Sequence, residues 1–281
     1  MRIDGQVAVI TGAASGIGEA LAHALHAKGA RLALVDVHAE RLQAVADQFE
    51  GASRHVLSVA DREAMAALPQ QVLDAHGQVN LLINNAGVTA NKPFDEHTLD
   101  DFDFVLGVNL WGVIHGCHFF LPALMEASHA HIVNVSSVFG IVGSPTQSAY
   151  CASKYAVRGL SEVLWEELDH THVNVTVVHP AGVQTRIVAE ARQAEGVDVE
   201  RMARRFAKAS ITPESAARQI VRAIEKDKRR LMVTRDAIVM DWLRRLAPAS
   251  SNRLIAKALI KALGMQKTYD ARVRAYLEQR G

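Results

Sequence analysis

Val7-Ala8-Val9-Ile10-Thr11-Gly12-Ala13-Ala14-Ser15-Gly16-Ile17-Gly18 is the stretch that decides the fold. Its first four residues are an unbroken apolar run stopped by a glycine turn, the pattern of a strand buried on both faces. The turn runs directly into a segment with Leu21 and Leu25 at helical spacing. Strand, glycine turn and helix in succession make a phosphate cradle. Glycines let the backbone approach a pyrophosphate, and the helix N-terminus offers unpaired N–H groups and a partial positive charge. Gly12, Ser15, Gly16, Ile17 and Gly18 are the candidate cradle residues. The next apolar run, Leu32-Ala33-Leu34-Val35, ends at Asp36, whose carboxylate can accept hydrogen bonds from a ribose diol.

Outward from this unit, short apolar runs alternate with amphipathic stretches: His55–Val59, Leu81–Ile83, His131–Val135, Val173–Val178 and Leu231–Val233 follow the first two. Such alternation predicts an α/β fold, a Rossmann-type doubly wound parallel sheet with helices on both faces. Gly29 and Gly77 follow helical segments, where a left-handed cap is favoured. Thr11, Asp36, Asn84, Ser137 and Pro180 fall at or just after strand ends, so the site is expected along one edge of the sheet.

A second signal lies in Ser148-Ala149-Tyr150-Cys151-Ala152-Ser153-Lys154. On a helix, Tyr150 and Lys154 share a face. A phenol ordinarily loses its proton near pH ~10, and a fixed ammonium beside it favours the ionised form. The pair therefore reads as a proton-transfer device in which Lys154 lowers the Tyr150 pKa. Alone it would equally suit a surface helix.

With both signals in place, the chain resembles the classical short-chain dehydrogenase/reductase family from about Gln6 to Thr234. The matching motifs are TGAASGIG at 11–18, NNAG at 84–87, Asn109 in GVNLWG, Ser137 in NVSSVFG, YCASK at 150–154 and HPAGVQT at 179–185. Two positions depart from the family pattern: Ala181 replaces a glycine after Pro180, and Ser58 stands where an aspartate often meets adenine. The resemblance implies hydride transfer between a nicotinamide coenzyme and a secondary alcohol or carbonyl. Tyr150 would exchange the proton, Ser137 would hold the substrate oxygen, and Lys154 would hold the nicotinamide ribose. Asn109 would perturb its helix and anchor a water on a proton path. Val59, Asn85, Ala86, Gly87, Pro180, Val183 and Thr185 complete the implied coenzyme contacts. Asp36, with no basic residue in the glycine turn, points to NAD(H) over NADP(H); His38 nearby would soften that preference if protonated.

The stretch at about 186–210, with Arg186, Arg192, Arg201, Arg204 and Arg205, has the position of the family's substrate lid. Val138, Phe139, Ile141, Val142 and Val183 are expected either to line an apolar pocket or to pack as core. The first option favours a bulky apolar alcohol or ketone.

Composition suits one sizeable core: 281 residues, 49% hydrophobic, net charge +1. Two cysteines without ligand spacing suit a reducing compartment, and the opening MRIDGQ lacks a leader pattern, so a cytoplasmic location is expected. Thirteen histidines form no recurring ligand set, so no metal is expected; no nucleic-acid partner is expected either. Phe104–Met125 carries no formal charge and is long enough for a bilayer, but Asn109, His115, His118 and Pro122 favour a core helix buried on both sides. That burial and the family habit suggest a homodimer or homotetramer.

The boundary falls at residue 234. Residues 1–234 are the dinucleotide-binding domain with its lid; 235–281 are a helical extension expected to pack on it. The extension carries a net charge of +6 against −5 for the rest. Leu254, Ile255, Ala258, Leu259 and Ala262 recur at helical spacing beside Arg253, Lys257 and Lys261, and Met240, Trp242, Leu243 and Leu246 form an earlier stripe. Contact with an anionic membrane surface is the competing use of this helix, less favoured than packing. The rival functions are an NADP(H)-dependent carbonyl reductase and a non-catalytic dinucleotide-binding or membrane-surface protein. An intact Asn109, Ser137, Tyr150 and Lys154 argues against the non-catalytic rival.

Overall fold

The computed structural model describes residues 1–194, 198–208 and 210–263, with the side chains at 259 and 261–263 left undescribed. Strands and helices alternate as expected: β1 (Val7–Thr11), α1 (Gly16–His26), β2 (Arg31–Asp36), α2 (Ala39–Ala46), β3 (Ser53–Val56), α3 (Arg62–His76) and β4 (Leu81–Asn84). A two-residue strand β5 (Ala90–Asn91), α4 (Leu99–Leu106), a π-helical turn (Gly107–Trp111) and α5 (Gly112–Glu126) follow. Then come β6 (Ala130–Val135), α6 (Ser148–Glu167), β7 (Val173–His179), β8 (Arg192–Gln193), α7 (Val199–Lys208), α8 (Pro213–Glu225), β9 (Arg230–Met232), α9 (Arg235–Leu246) and α10 (Ser250–Leu263).

Seven strands form one parallel sheet in the order β3-β2-β1-β4-β6-β7-β9. The chain leaves β1 for β2 on one side and later places β4 on the other, so a crevice opens beyond the C-terminal end of β1. The glycine turn sits at that switch point. Every residue of β1, β4 and β6 is buried, because helices cover both faces. On one face Leu21 and Leu25 of α1 pack with Ile220 and Ile224 of α8; on the other, Met65, Leu68 and Val72 of α3 pack with Val113, Phe120 and Leu124 of α5. Asp61 caps α3 by accepting from the amides of Glu63 and Ala64, and Gly77 ends it at φ 76°.

Two strands shift from their expected bounds. The run expected at 55–59 pairs only over Ser53–Val56, opposite Ala33–Asp36, and Leu57 to Val59 leave the sheet in the turn toward α3. The last strand is Arg230–Met232 rather than Leu231–Val233. β5 and β8, too short to read from sequence, pair in parallel and join the stretch after Thr185 to the segment after Gly87.

The uncharged stretch lies in a helix, Leu99–Glu126, long and apolar enough to cross a membrane by length and composition. Here Val113, Cys117, Phe120 and Leu124 pack inward on the sheet. Its outer side forms an open groove of about 610 Å³ with Trp111, Ile114, His118 and Phe119.

Beyond residue 234, α9 presents opposite faces to protein and solvent. Ala237 is buried with Val138, Ile141, Val142 and Ile255, and Asp241 closes a two-pronged ion pair with Arg230. Ile238, Val239, Trp242, Leu243 and Leu246 stay exposed. In α10 the buried side is Ser251, Ile255 and Ile260; Leu254, expected in the packed stripe, points outward at 69% exposure. Leu259 and Ala262 of the same stripe lie outside the described side chains.

Candidate active site

Gly12 has φ 66°, and a Cβ there would lie 2.8 Å from the Ala86 Cα. At Gly18 an added Cβ would meet the Gly12 carbonyl oxygen at 2.1 Å, so no side chain fits. The turn is tied to the NNAG segment through Thr11, whose hydroxyl accepts from the amides of Asn85 (3.0 Å) and Ala86 (3.1 Å) and donates to the Ile83 carbonyl (3.3 Å). The Asn85 amide group returns two bonds, to Thr11 O (3.0 Å) and Gly12 O (3.2 Å). Thr11 and Asn85 thereby hold the cradle open.

Ser15 stands at the N-cap of α1 without a side-chain capping bond, which leaves first-turn amides available to an anion. A cleft of about 470 Å³ borders Ser15, Gly16, Thr185 and Arg186. At the end of β2, Asp36 accepts from the amides of Ala14 and His38, both at 3.0 Å. Burial raises its pKa, partly offset by the Ala14 amide and the Arg41 guanidinium. The backbone cradle, the uncapped helix and a carboxylate at the next strand end fit a dinucleotide, with pyrophosphate at Gly12–Gly18 and a ribose diol at Asp36. Val59 packs against Gly112, and its carbonyl lies 3.0 Å from His115 Nδ1. Val183 is buried beside β1 and α8, and Thr185 lies over Gly16. Pro180 accepts through its carbonyl from Val138 N (2.7 Å) and the Ser137 hydroxyl (3.4 Å).

Asn109 is fully buried in the π-helical turn Gly107–Trp111. Its side chain satisfies both backbone groups of Val88, accepting from N at 2.8 Å and donating to O at 2.9 Å. It also donates to the Ser153 hydroxyl (3.1 Å), which in turn donates to the Tyr150 carbonyl (2.7 Å). Helix distortion at Asn109 was legible; Ser153 was not singled out, although its place one residue before Lys154 was visible.

Ser137, at the end of β6, and Tyr150 and Lys154, on α6, converge with Asn109. The Ser137 hydroxyl donates to the Pro180 carbonyl at 3.4 Å, accepts from the Phe139 amide at 3.1 Å, and pulls the Tyr150 phenol pKa downward. Lys154 is 2% exposed, donates from Nζ to the Val135 carbonyl (2.9 Å) and lies 5.6 Å from the centre of the Tyr150 ring. Gly87 leaves room between them: an added Cβ would stand 3.5 Å from Asn109 Oδ1 and 3.6 Å from Lys154 Nζ.

The electrostatics correct one expectation. Burial pushes the Tyr150 phenol up to about 12, against the pull of the Ser137 hydroxyl, and pushes the Lys154 ammonium down to about 8. Desolvation sets the direction of both shifts. In the chain by itself Tyr150 holds its proton at neutral pH.

For the apolar residues near Ser137, expected either as pocket or as core, the structure favours core at all but one. Val138, Ile141 and Val142 are buried beneath α9 and α10, and Val183 belongs to the sheet core. Phe139 is the one that meets Tyr150, edge to face at 6.3 Å. Among the described residues no three His, Cys, Asp or Glu side chains are grouped to hold a metal.

The pattern shared by short chain dehydrogenases matches residues 6–196. The chain is 40% identical over 266 residues to "Putative oxidoreductase SadH" of Mycobacterium tuberculosis, covering 92% of this chain and 96% of that one. It is 40% identical over 190 residues to D-threitol dehydrogenase of Mycolicibacterium smegmatis, covering 66% and 73%. A short chain dehydrogenase/reductase from Burkholderia phymatum, solved in complex with NAD, superposes with a TM-score of 0.80 at 32% identity over 87% of this chain and 94% of that one. Fold and sequence pattern are thus shared, and the chain belongs to the short-chain dehydrogenase/reductase family of NAD(P)-dependent oxidoreductases.

Proposed function

We propose that the protein interconverts a secondary alcohol and a ketone or aldehyde with NAD(H), using Tyr150 as the general acid and base. The observation that carries this reading is the buried ammonium of Lys154, 2% exposed and 5.6 Å from the centre of the Tyr150 ring, with Ser137 acting on the same phenol. The coenzyme, when bound, supplies or accepts the hydride. The chain's own residues hold and move the proton. With its pKa pushed up, Tyr150 is a ready donor to a carbonyl oxygen in the reductive direction. Ser137 would donate to the same oxygen and stabilise charge developing there. In the oxidative direction the phenol must give up its proton first, and the ammonium of Lys154 is the charge that favours its doing so.

Asp36 supports NAD(H): a carboxylate can accept from a 2′-hydroxyl and repels a 2′-phosphate. A bulky apolar alcohol or ketone is the substrate class we favour, supported by Phe139 against Tyr150 and by Val88, Phe102 and Phe104, which pack on the same small cluster, Ala90, Val105 and Ala149, as Tyr150 does. The outer groove at Trp111 supports a homodimer or homotetramer formed through α4, α5 and α6, and two free cysteines, Cys117 and Cys151, support a cytoplasmic location.

A panel of alcohols and ketones with each coenzyme, read by nicotinamide absorbance, tests the reaction. Tyr150→Phe in the responsive pair should lose at least ~100-fold in turnover with coenzyme affinity retained. Turnover near that of the unaltered protein would assign the proton to another residue.

A further inference from the structure

Residues 138–147 connect Ser137 to the first turn of α6, which carries Tyr150. This loop therefore bears on the separation of the two hydroxyls, beside the direct bonds from Lys154 Nζ to the Val135 carbonyl and from the Ser136 hydroxyl to the Lys154 carbonyl. Near Ser137 the loop closes on itself, with the amides of Ile141 and Val142 donating to the Val138 carbonyl at 2.9 and 3.0 Å. Near Tyr150 the Ser144 amide donates to the Cys151 thiol at 3.4 Å. At the apex the Ile141 carbonyl accepts from the Tyr155 hydroxyl of α6, and further partners come from beyond residue 234. Gly143 N donates to Asn252 Oδ1 at 3.1 Å, and Arg244 Nε donates to the Ile141 carbonyl at 3.2 Å. Ala237 and Ile255 complete the apolar floor under Val138, Ile141 and Val142.

We infer that α9 and α10 clamp the loop between the two catalytic hydroxyls, and that Asn252 and Arg244 are positioning residues for the reaction. Neither side chain touches the reacting groups; Asn252 satisfies the Gly143 amide, and Arg244 shares the Ile141 carbonyl with the Tyr155 hydroxyl. The contact at Gly143 is close, since an added Cβ would lie 3.5 Å from the Asn252 amide nitrogen. The clamp places the extension within the catalytic unit, although the residues matched to the family pattern end at 196. The inference rests on the roles proposed for Ser137 and Tyr150, so its test needs a readout independent of turnover.

Cys151 supplies one. It follows Tyr150, is buried, and accepts from the loop at Ser144. In the full-length chain, Asn252→Leu should label about tenfold faster at Cys151 with a disulfide reagent, the scale of one lost backbone hydrogen bond. It should also lower kcat about tenfold, with NAD(H) dissociation constants, read by fluorescence, within about twofold. Asn252→Asp retains an acceptor for Gly143 N and should restore both values. Unchanged labelling and kcat in the leucine variant, or an aspartate variant as impaired as the leucine one, would overturn the clamp. If Tyr150→Phe kept its turnover, the catalytic reading would fall while the labelling comparison still decided the clamp.

Discussion

Replacing Lys154 by Met removes an ammonium held at 2% exposure. Burial lowers its pKa from 10.5 to about 8, so the fold bears about 3 kcal/mol against the charged form, at about 1.4 kcal/mol for each tenfold in the proton equilibrium. Below about pH 8 the lysine is charged in both the folded and the unfolded chain, and the whole penalty applies. Between about pH 8 and 10.5 the folded chain releases the proton while the unfolded chain keeps it, so stability rises with pH through that window. Lys154→Met has no such rise. The variant does leave the Val135 carbonyl without its donor, a cost of about 1–3 kcal/mol, so the two proteins should be close in stability at pH 7. Urea unfolding at pH 7, 8, 9 and 10 should show the unaltered chain gaining about 2–3 kcal/mol on the variant. Tyr150 sets the upper limit, because its raised pKa makes the fold lose stability between about pH 10 and 12. Stability curves that stay parallel from pH 7 to 10 would refute the reasoning. The same variant should bind NAD(H) more weakly and turn over more slowly, and normal binding by fluorescence would remove Lys154 from the ribose site.

Gly18→Ala should fold with a strained turn and lose at least ~100-fold in dinucleotide affinity by calorimetry, because its Cβ would sit 2.1 Å from the Gly12 carbonyl oxygen. Asp36→Ala should narrow the gap in kcat/KM between NADH and NADPH; higher efficiency of the unaltered protein with NADPH would overturn the NAD(H) reading. Asn109→Leu strips the partners from both backbone groups of Val88, and should cost about 2–4 kcal/mol in urea unfolding; a loss under about 0.5 kcal/mol would show those groups re-paired.

The succession of strands and helices along the chain and the edge that holds the site were legible because β1 and the glycine turn are local patterns, and Tyr150 and Lys154 share a helix face at fixed spacing. What escaped depended on partners distant in sequence. Thr11 became a hub only once Asn85 and Ala86 lay across from it. The sign of the Tyr150 shift turned on the depth of burial, which spacing does not encode. Val138, Ile141 and Val142 read equally well as pocket or core until α9 lay over them. Strand β3 sits at the sheet edge with a neighbour on one side only, so its run of apolar residues did not set where pairing stopped.

The Thr11 hydroxyl, holding two amides of one crossover and backed by the Asn85 carboxamide, has a kinetic consequence. The conformational freedom of the glycine turn and of the segment at 84–87 is already lost when the chain folds. An arriving dinucleotide meets a preorganised surface and has little loop entropy to quench. Encounter at that end of the cleft is then governed by diffusion and charge.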